Sequence, residues 1–127
     1  RQRQMCIRDS NYPMYAINLD MIADREPEFY IERYSYQQNP TLVLELWELA
    51  ESLNLKTFKK QAKYTIFDDH VPLYQMAGIP AIDIIDFDFP NEKTNYHHTH
   101  QDIVQNCSPK GLGEVGTLML NHIYNIK

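Results

Sequence analysis

The segment NPTLVLELWELAESLNL, residues 39–55, constrains the fold more than any other stretch of this chain. Leu42, Leu46, Leu49 and Leu53 recur at three- and four-residue intervals, which puts them on one face of a helix that must bury it. Asn39 or Thr41 suits the cap, and Pro40 suits the first turn, where a missing N–H is harmless. Trp47 is expected to pack beside the leucine stripe. The flanking runs follow a different period. MYAINLDMI (14–22) is apolar and reads as a buried strand ending in a turn at ADREPE. FYIERY (29–34) alternates as a half-exposed strand would, and KTFKKQAKYTIF (56–67) is basic and then β-like. VPLYQMAG (71–78) reads as a short helix stopped by Gly78, followed by a strand in IPAIDIIDF (79–87). A loop is expected from Asp86 to Asp102. The last segment, SPKGLGEVGTLMLNHIYNIK, reads as a helix with Ser108 as cap and Pro109 in its first turn. Its apolar side is expected to be Leu112, Val115, Leu118, Met119 and Ile123, with three glycines lowering its helical propensity. Strands alternating with helices predict an α/β layered fold.

The 127 residues are enough for one domain with a real core. The leader RQRQMCIRDS has neither the apolar core of a signal peptide nor a helical period. It resembles a translated sequencing-adapter string, so residues 1–10 are expected to be non-native and residues 11–127 to hold the domain. No apolar run approaches the roughly 18–20 residues of a membrane span. The net charge of −5 argues against a nucleic-acid partner, which calls for a basic patch. Two cysteines, Cys6 and Cys107, are too few for a disulfide framework or a thiolate zinc site.

In an α/β sheet, functional loops leave the C-terminal ends of the strands. Asp20 stands near the end of the first strand, and the loop from Asp86 to Asp102 leaves another, so both are expected on one rim. That loop carries NYHHTHQD, with three of the chain's five histidines. Adjacent side chains diverge, so the run cannot make a metal site alone. An H-x-H pair, or His97 with His100, would supply two ligands; a polar loop with unoccupied histidines is the alternative. Asp20 reads equally as a ligand or as a turn cap. Asp102 would either orient a liganding imidazole or cap the turn before the last helix. In DDHVP, one of Asp68 and Asp69 is expected to cap a helix, and the other, with His70, to lie near substrate. Asp83, Asp86 and Asp88 match no calcium loop and read as a solvated strand end. No nucleophile elbow or phosphate-cradling loop is present, which leaves metal chemistry as the main catalytic option.

NLDMIAD, DDHVPLYQMAGIPAIDIIDFDFP, YHHTHQD and SPKGLGEVG, in this order, resemble the C-terminal half of zinc aminopeptidases of metallopeptidase family 28. That family includes bacterial leucyl aminopeptidases and animal-type glutaminyl cyclases. The resemblance covers about residues 14–125 and implies the C-terminal portion of a three-layer α/β/α fold with a mixed sheet. It implies a peptide substrate and two zinc ions, with Asp20 binding one and His98 the other, and close together. His97 and His100 would then not be ligands, and Asp68 would join an acid network near the substrate. The family's other ligands, and the glutamate acting as general base, have no counterpart here, so the chain is expected to be inactive alone. Export is what bacterial members of the family imply for localisation.

The leading expectation is therefore the C-terminal part of a di-zinc aminopeptidase. A glutaminyl-cyclase-like enzyme with one zinc is the second, with Asp20 as a hydrogen-bonding acid. A homologue that binds without metal is the third.

Overall fold

The computed structural model describes residues 13–125. The expectation for the leader lies outside them.

Two strands form the frame on which the rest is hung. β1 (Ala16–Asp20) and β4 (Ala81–Ile85) pair in parallel, with Asp20 opposite Ile85. Their C-terminal ends therefore share one rim, as the sequence implies. β4 is buried at all five positions, which explains why its sequence is an apolar run without alternation. A second parallel pair joins β2 (Phe29–Ile31) to β3 (Phe58–Ala62), and a small antiparallel hairpin joins β5 (Pro90–Asn91) to β6 (Thr94–Asn95). Four α-helices complete the described chain: α1 (Arg33–Gln38), α2 (Pro40–Ser52), α3 (His70–Ala77) and α4 (Pro109–Tyr124). None is long and apolar enough to cross a membrane.

α2 is the helix expected from its leucine period. Asn39 Oδ1 accepts from the Leu42 backbone N–H at 3.2 Å, which settles the cap on Asn39. Its buried face, Leu42, Val43, Leu46, Trp47 and Ala50, packs with Phe29, Ile82, Ile84, Val115 and Leu118 into one core. Each large side chain among these contributes about 1.5–3 kcal/mol by leaving water. Trp47 also donates from its indole N–H to the carbonyls of Phe29 and Lys59, at 3.2 and 3.1 Å, tying α2 to the β2–β3 pair. Gly78 ends α3 in the left-handed conformation, at φ 70°, which a side chain would disfavour.

The structure corrects several local expectations. FYIERY is a strand only to Ile31. Glu32 is buried and caps α1, its carboxylate accepting from the Tyr34 and Ser35 backbone N–H groups. Asp69 occupies the N-cap of α3 but makes no side-chain cap bond. Ser108 stands at the N-cap of α4, yet its hydroxyl donates to the Asp24 carbonyl at 3.1 Å and fastens the helix to the turn after β1. The buried side of α4 is Gly111, Val115, Leu118 and His122, whereas Leu112 and Ile123 are exposed. A polar contact rotates that face inward: Tyr15 Oη and His122 Nε2 lie 2.8 Å apart. Asp83 and Asp86 are not a solvated strand end. Both are buried, at 0% and 1% exposure.

Candidate functional site

Three carboxyl groups from three different elements meet below the shared rim. Asp20 is the last residue of β1, Asp68 precedes α3, and Asp83 is the middle residue of β4. Asn18, two positions before Asp20 and so on the same face of β1, holds two of them together. Its side-chain N–H₂ donates to Asp68 Oδ2 and Asp83 Oδ1, at 3.1 Å each. Met21, just past Asp20, takes the left-handed conformation at φ 51° and turns the chain sharply off the strand.

The three acids are not shifted alike. Burial pushes Asp83 up to about 9, helped by its hydrogen bond to Asp68 and by the charges of Asp68 and Asp20. Asp20 is also raised, first by burial and then by its hydrogen bond to Asp68 and the Asp68 charge; the Met21 backbone and His97 pull it partly back. For Asp68 burial acts upward, but hydrogen bonds from Asp83, the Asp69 backbone and Asp20 bring it below the usual carboxylate range. Asp68 is thus the one acid of the three held below its ordinary value, and both neighbours act in that direction.

Behind this group lies a buried histidine. His70 Nε2 is 2.6 Å from Glu32 Oε1, and His70 Nδ1 is 3.7 Å from Asp83 Oδ2. Burial works against the Glu32 charge, but hydrogen bonds from His70 and from the Ile66, Tyr34 and Ser35 backbone hold its carboxyl below the ordinary value. A second buried acid pair, Asp24 with Asp86, lies under the turn after β1. Burial and the hydrogen bond to Asp24 push Asp86 up to about 9.

The histidine loop is arranged differently. His97 is half-buried between the Phe87 ring, 5.8 Å away, and His98, on which it stacks at 3.7 Å. His98 is exposed, at φ 58°, and His100 is exposed. His97 lies near enough to Asp20 for its charge to act there. Asp102 is exposed, and its backbone N–H donates to the Thr99 carbonyl at 3.1 Å. Among the described hydrogen bonds its carboxylate reaches no histidine. Of the residues singled out in the sequence, the structure therefore joins Asp20, Asp68 and His70 to one cluster and leaves Asp69 and Asp102 outside it.

Asn18, Glu32 and Asp83 are the members that sequence reasoning missed. Asp83 had a signal: a carboxylate inside the apolar run AIDII is costly unless partnered. Asn18 had a weaker one, its two-residue offset from Asp20. Glu32 had none, because its partners are 34 and 38 positions away.

Zinc ligation needs three or more converging donors. Among the described residues no three His, Cys, Asp or Glu side chains are grouped to hold a metal ion. His98 is a suitable donor in kind, but Asp20 is engaged with Asp68. The described residues do not form a zinc site by themselves.

Residues 9–123 match the sequence model of Peptidase family M28. Solved structures similar to the chain include a glutaminyl cyclase from Tannerella forsythia, 34% identical with a TM-score of 0.83. They also include a Zn-dependent exopeptidase from Parabacteroides distasonis, 32% identical at 0.82, and a leucine aminopeptidase precursor from Bacteroides thetaiotaomicron, 33% identical at 0.82. The matches cover 90%, 89% and 90% of this chain, but only 40%, 40% and 38% of those chains. No curated protein matches the chain by sequence.

Proposed function

The chain belongs to peptidase family M28, and we propose that it forms the C-terminal part of a zinc-dependent enzyme acting at the amino terminus of peptides. Within that class, the reaction its acid cluster fits best is cyclisation of an N-terminal glutamine. The convergence of Asp20 with Asp68, which the Asn18 amide ties to Asp83 at 3.1 Å on each side, carries this reading. A carboxyl that binds zinc must be deprotonated and free to turn its lone pairs to the metal. Burial and the adjacent Asp68 raise the pKa of Asp20, which suits an acid that carries a proton.

Cyclisation makes the matching demand. The α-amine attacks the side-chain amide carbon and loses a proton, and the amide nitrogen must gain one to leave as ammonia. No water is consumed, and one proton travels from the attacking to the departing nitrogen. Asp68 would accept it, and Asp20 beside it would return one. Asp83 backs the pair with a neutral carboxyl. Zinc, with His98 among its ligands, would polarise the amide carbonyl.

A di-zinc aminopeptidase is the second reading. The aminopeptidase and exopeptidase neighbours support it, as does Asp20 standing beside the histidine loop. There Asp20 would give up its proton to bind metal.

The test needs a protein that carries the complete site, offered an N-terminal glutamine peptide and an aminoacyl chromogenic substrate in parallel. Pyroglutamyl product and ammonia, with one zinc per chain, support the cyclase. Released amino acid with two zinc ions establishes the aminopeptidase in its place. Neither product, with no zinc retained, points to a binding homologue. The 127-residue chain alone is expected to be inactive, and zinc-dependent turnover by it would contradict the missing-ligand argument.

A further inference from the structure

The Glu32–His70 pair is fully buried, yet neither proposed reaction uses it. Glu32 is 1% exposed and His70 0%. Glu32 is saturated as an acceptor: Oε1 takes the Ser35 backbone N–H at 2.9 Å and the Ser35 hydroxyl at 2.8 Å. Oε2 takes the Tyr34 and Ile66 backbone N–H groups at 2.8 and 2.9 Å. A carboxylate so surrounded has no proton to offer. Its 2.6 Å contact with His70 Nε2 therefore requires the imidazole proton to be on Nε2.

The other ring nitrogen then faces Asp83. His70 Nδ1 and Asp83 Oδ2 are buried, 3.7 Å apart, and neither has a conventional hydrogen-bond partner among the described residues. That separation is beyond a hydrogen bond, so the ring presents a bare lone pair to Asp83 and not an N–H. Glu32 also reaches Asp83 by a second route, because the Ser35 hydroxyl that donates to Glu32 accepts the Asp83 backbone N–H at 2.8 Å. One carboxylate thus reaches the Asp83 main chain through Ser35 and faces its side chain through the imidazole.

We propose that Glu32 and His70 are positioning residues for the Asp83–Asp68–Asp20 cluster, with Glu32 fixing the imidazole as its Nε2–H tautomer so that the bare Nδ1 faces Asp83 Oδ2. Neither touches the reacting atoms. They hold Asp83 in place beside Asp68, by its backbone through Ser35 and by the imidazole that faces its side chain. The part this plays in turnover rests on the cyclase reading; the hydrogen-bond order does not.

The order is tested without substrate or metal, by nitrogen NMR of the ¹⁵N-histidine-labelled 127-residue chain, with the His70 signals assigned through His70→Gln. The expected result is a proton on Nε2 and a bare Nδ1. Asp83→Asn should keep the Nε2 proton. Glu32→Gln can donate where Glu32 accepted, so it should move the ring proton to Nδ1 and shift the Asp83 side-chain ¹³C signal. A purely structural Glu32 would alter stability and leave both signals in place. A wild-type ring protonated on Nδ1 alone, or a folded Glu32→Gln chain with an unchanged tautomer, overturns the proposal. If Glu32→Gln does not fold, the wild-type and Asp83→Asn spectra still decide. Failure to form pyroglutamyl product would remove the cyclase reading and leave these spectra untouched.

Discussion

A Cβ atom on Gly111 would sit 2.2 Å from the carbonyl oxygen of Ile22, so α4 meets the turn after β1 backbone to backbone. The obstacle is main chain and cannot swing away. Gly111→Ala is expected to cost about 1–3 kcal/mol by overpacking and to displace the turn that follows Asp20. Gly113 and Gly116 lie on the same helix with open space at their Cβ positions. Alanine there should instead stabilise by up to about 1 kcal/mol, the difference in helix propensity. Urea unfolding of the three variants checks the contrast, and three equal effects would show the close approach to be wrong.

Trp47 supplies both apolar area and the indole donor shared by two strand carbonyls. Trp47→Phe retains most of the area and leaves two buried acceptors short of a donor. The expected cost is about 1–3 kcal/mol, read from the denaturation midpoint. A neutral result would mean that water replaces the indole.

The buried acids set how stability varies with pH. Asp83 and Asp86 are pushed up to about 9 from an ordinary 3.8, so the folded chain holds protons that the unfolded chain has released. Between about pH 4 and about 9 their contribution is lost as pH rises. Glu32 and Asp68 are shifted down, so theirs is present above the ordinary carboxylate range and lost as pH falls through the depressed values. The two trends together place maximum stability at mildly acidic pH, about 4–5. Asp83→Asn and Asp86→Asn should flatten the alkaline side of a urea-midpoint profile. A midpoint that climbs steadily from about pH 5 to about pH 8 would rule out neutral buried carboxyls.

Metal content separates the roles of Asp20 and His98 in a protein carrying the complete site. Asp20→Asn is expected to retain zinc while kcat falls about 10²–10⁴-fold, the usual reach of general acid–base catalysis. His98→Ala is expected to lose zinc. Atomic absorption on the two purified variants makes the comparison, and loss of zinc from Asp20→Asn would restore Asp20 as a ligand.

Much of the fold is legible in local pattern. The α2 stripe, its Asn39–Pro40 start, the Gly78 stop and the apolar β4 run each depend on residues within a few positions of one another. The shared rim of β1 and β4 follows from their parallel pairing. Glu32 shows where local pattern stops. In FYIERY it occupies the exposed phase of a strand, yet the chain turns into α1 there because its carboxylate caps the helix and meets Ile66 and His70. The aspartates of β4 fail for the same reason. Asp83 looks solvated beside Asp86 and Asp88 until Asn18 and Ser35 arrive from 65 and 48 positions away.

The sequence alone carries the family, the order of elements and the candidate site residues Asp20, Asp68, His70 and those of the histidine loop. Periodicity, caps and motif order are short-range properties, and a linear reading captures them. Tertiary structure alone decided that Asp20, Asp68 and Asp83 come together, that Asp83 is buried, and that Glu32 meets His70 behind them. A carboxyl's ionisation depends on burial and on the charges and donors around it, and those neighbours are assembled only when distant segments pack.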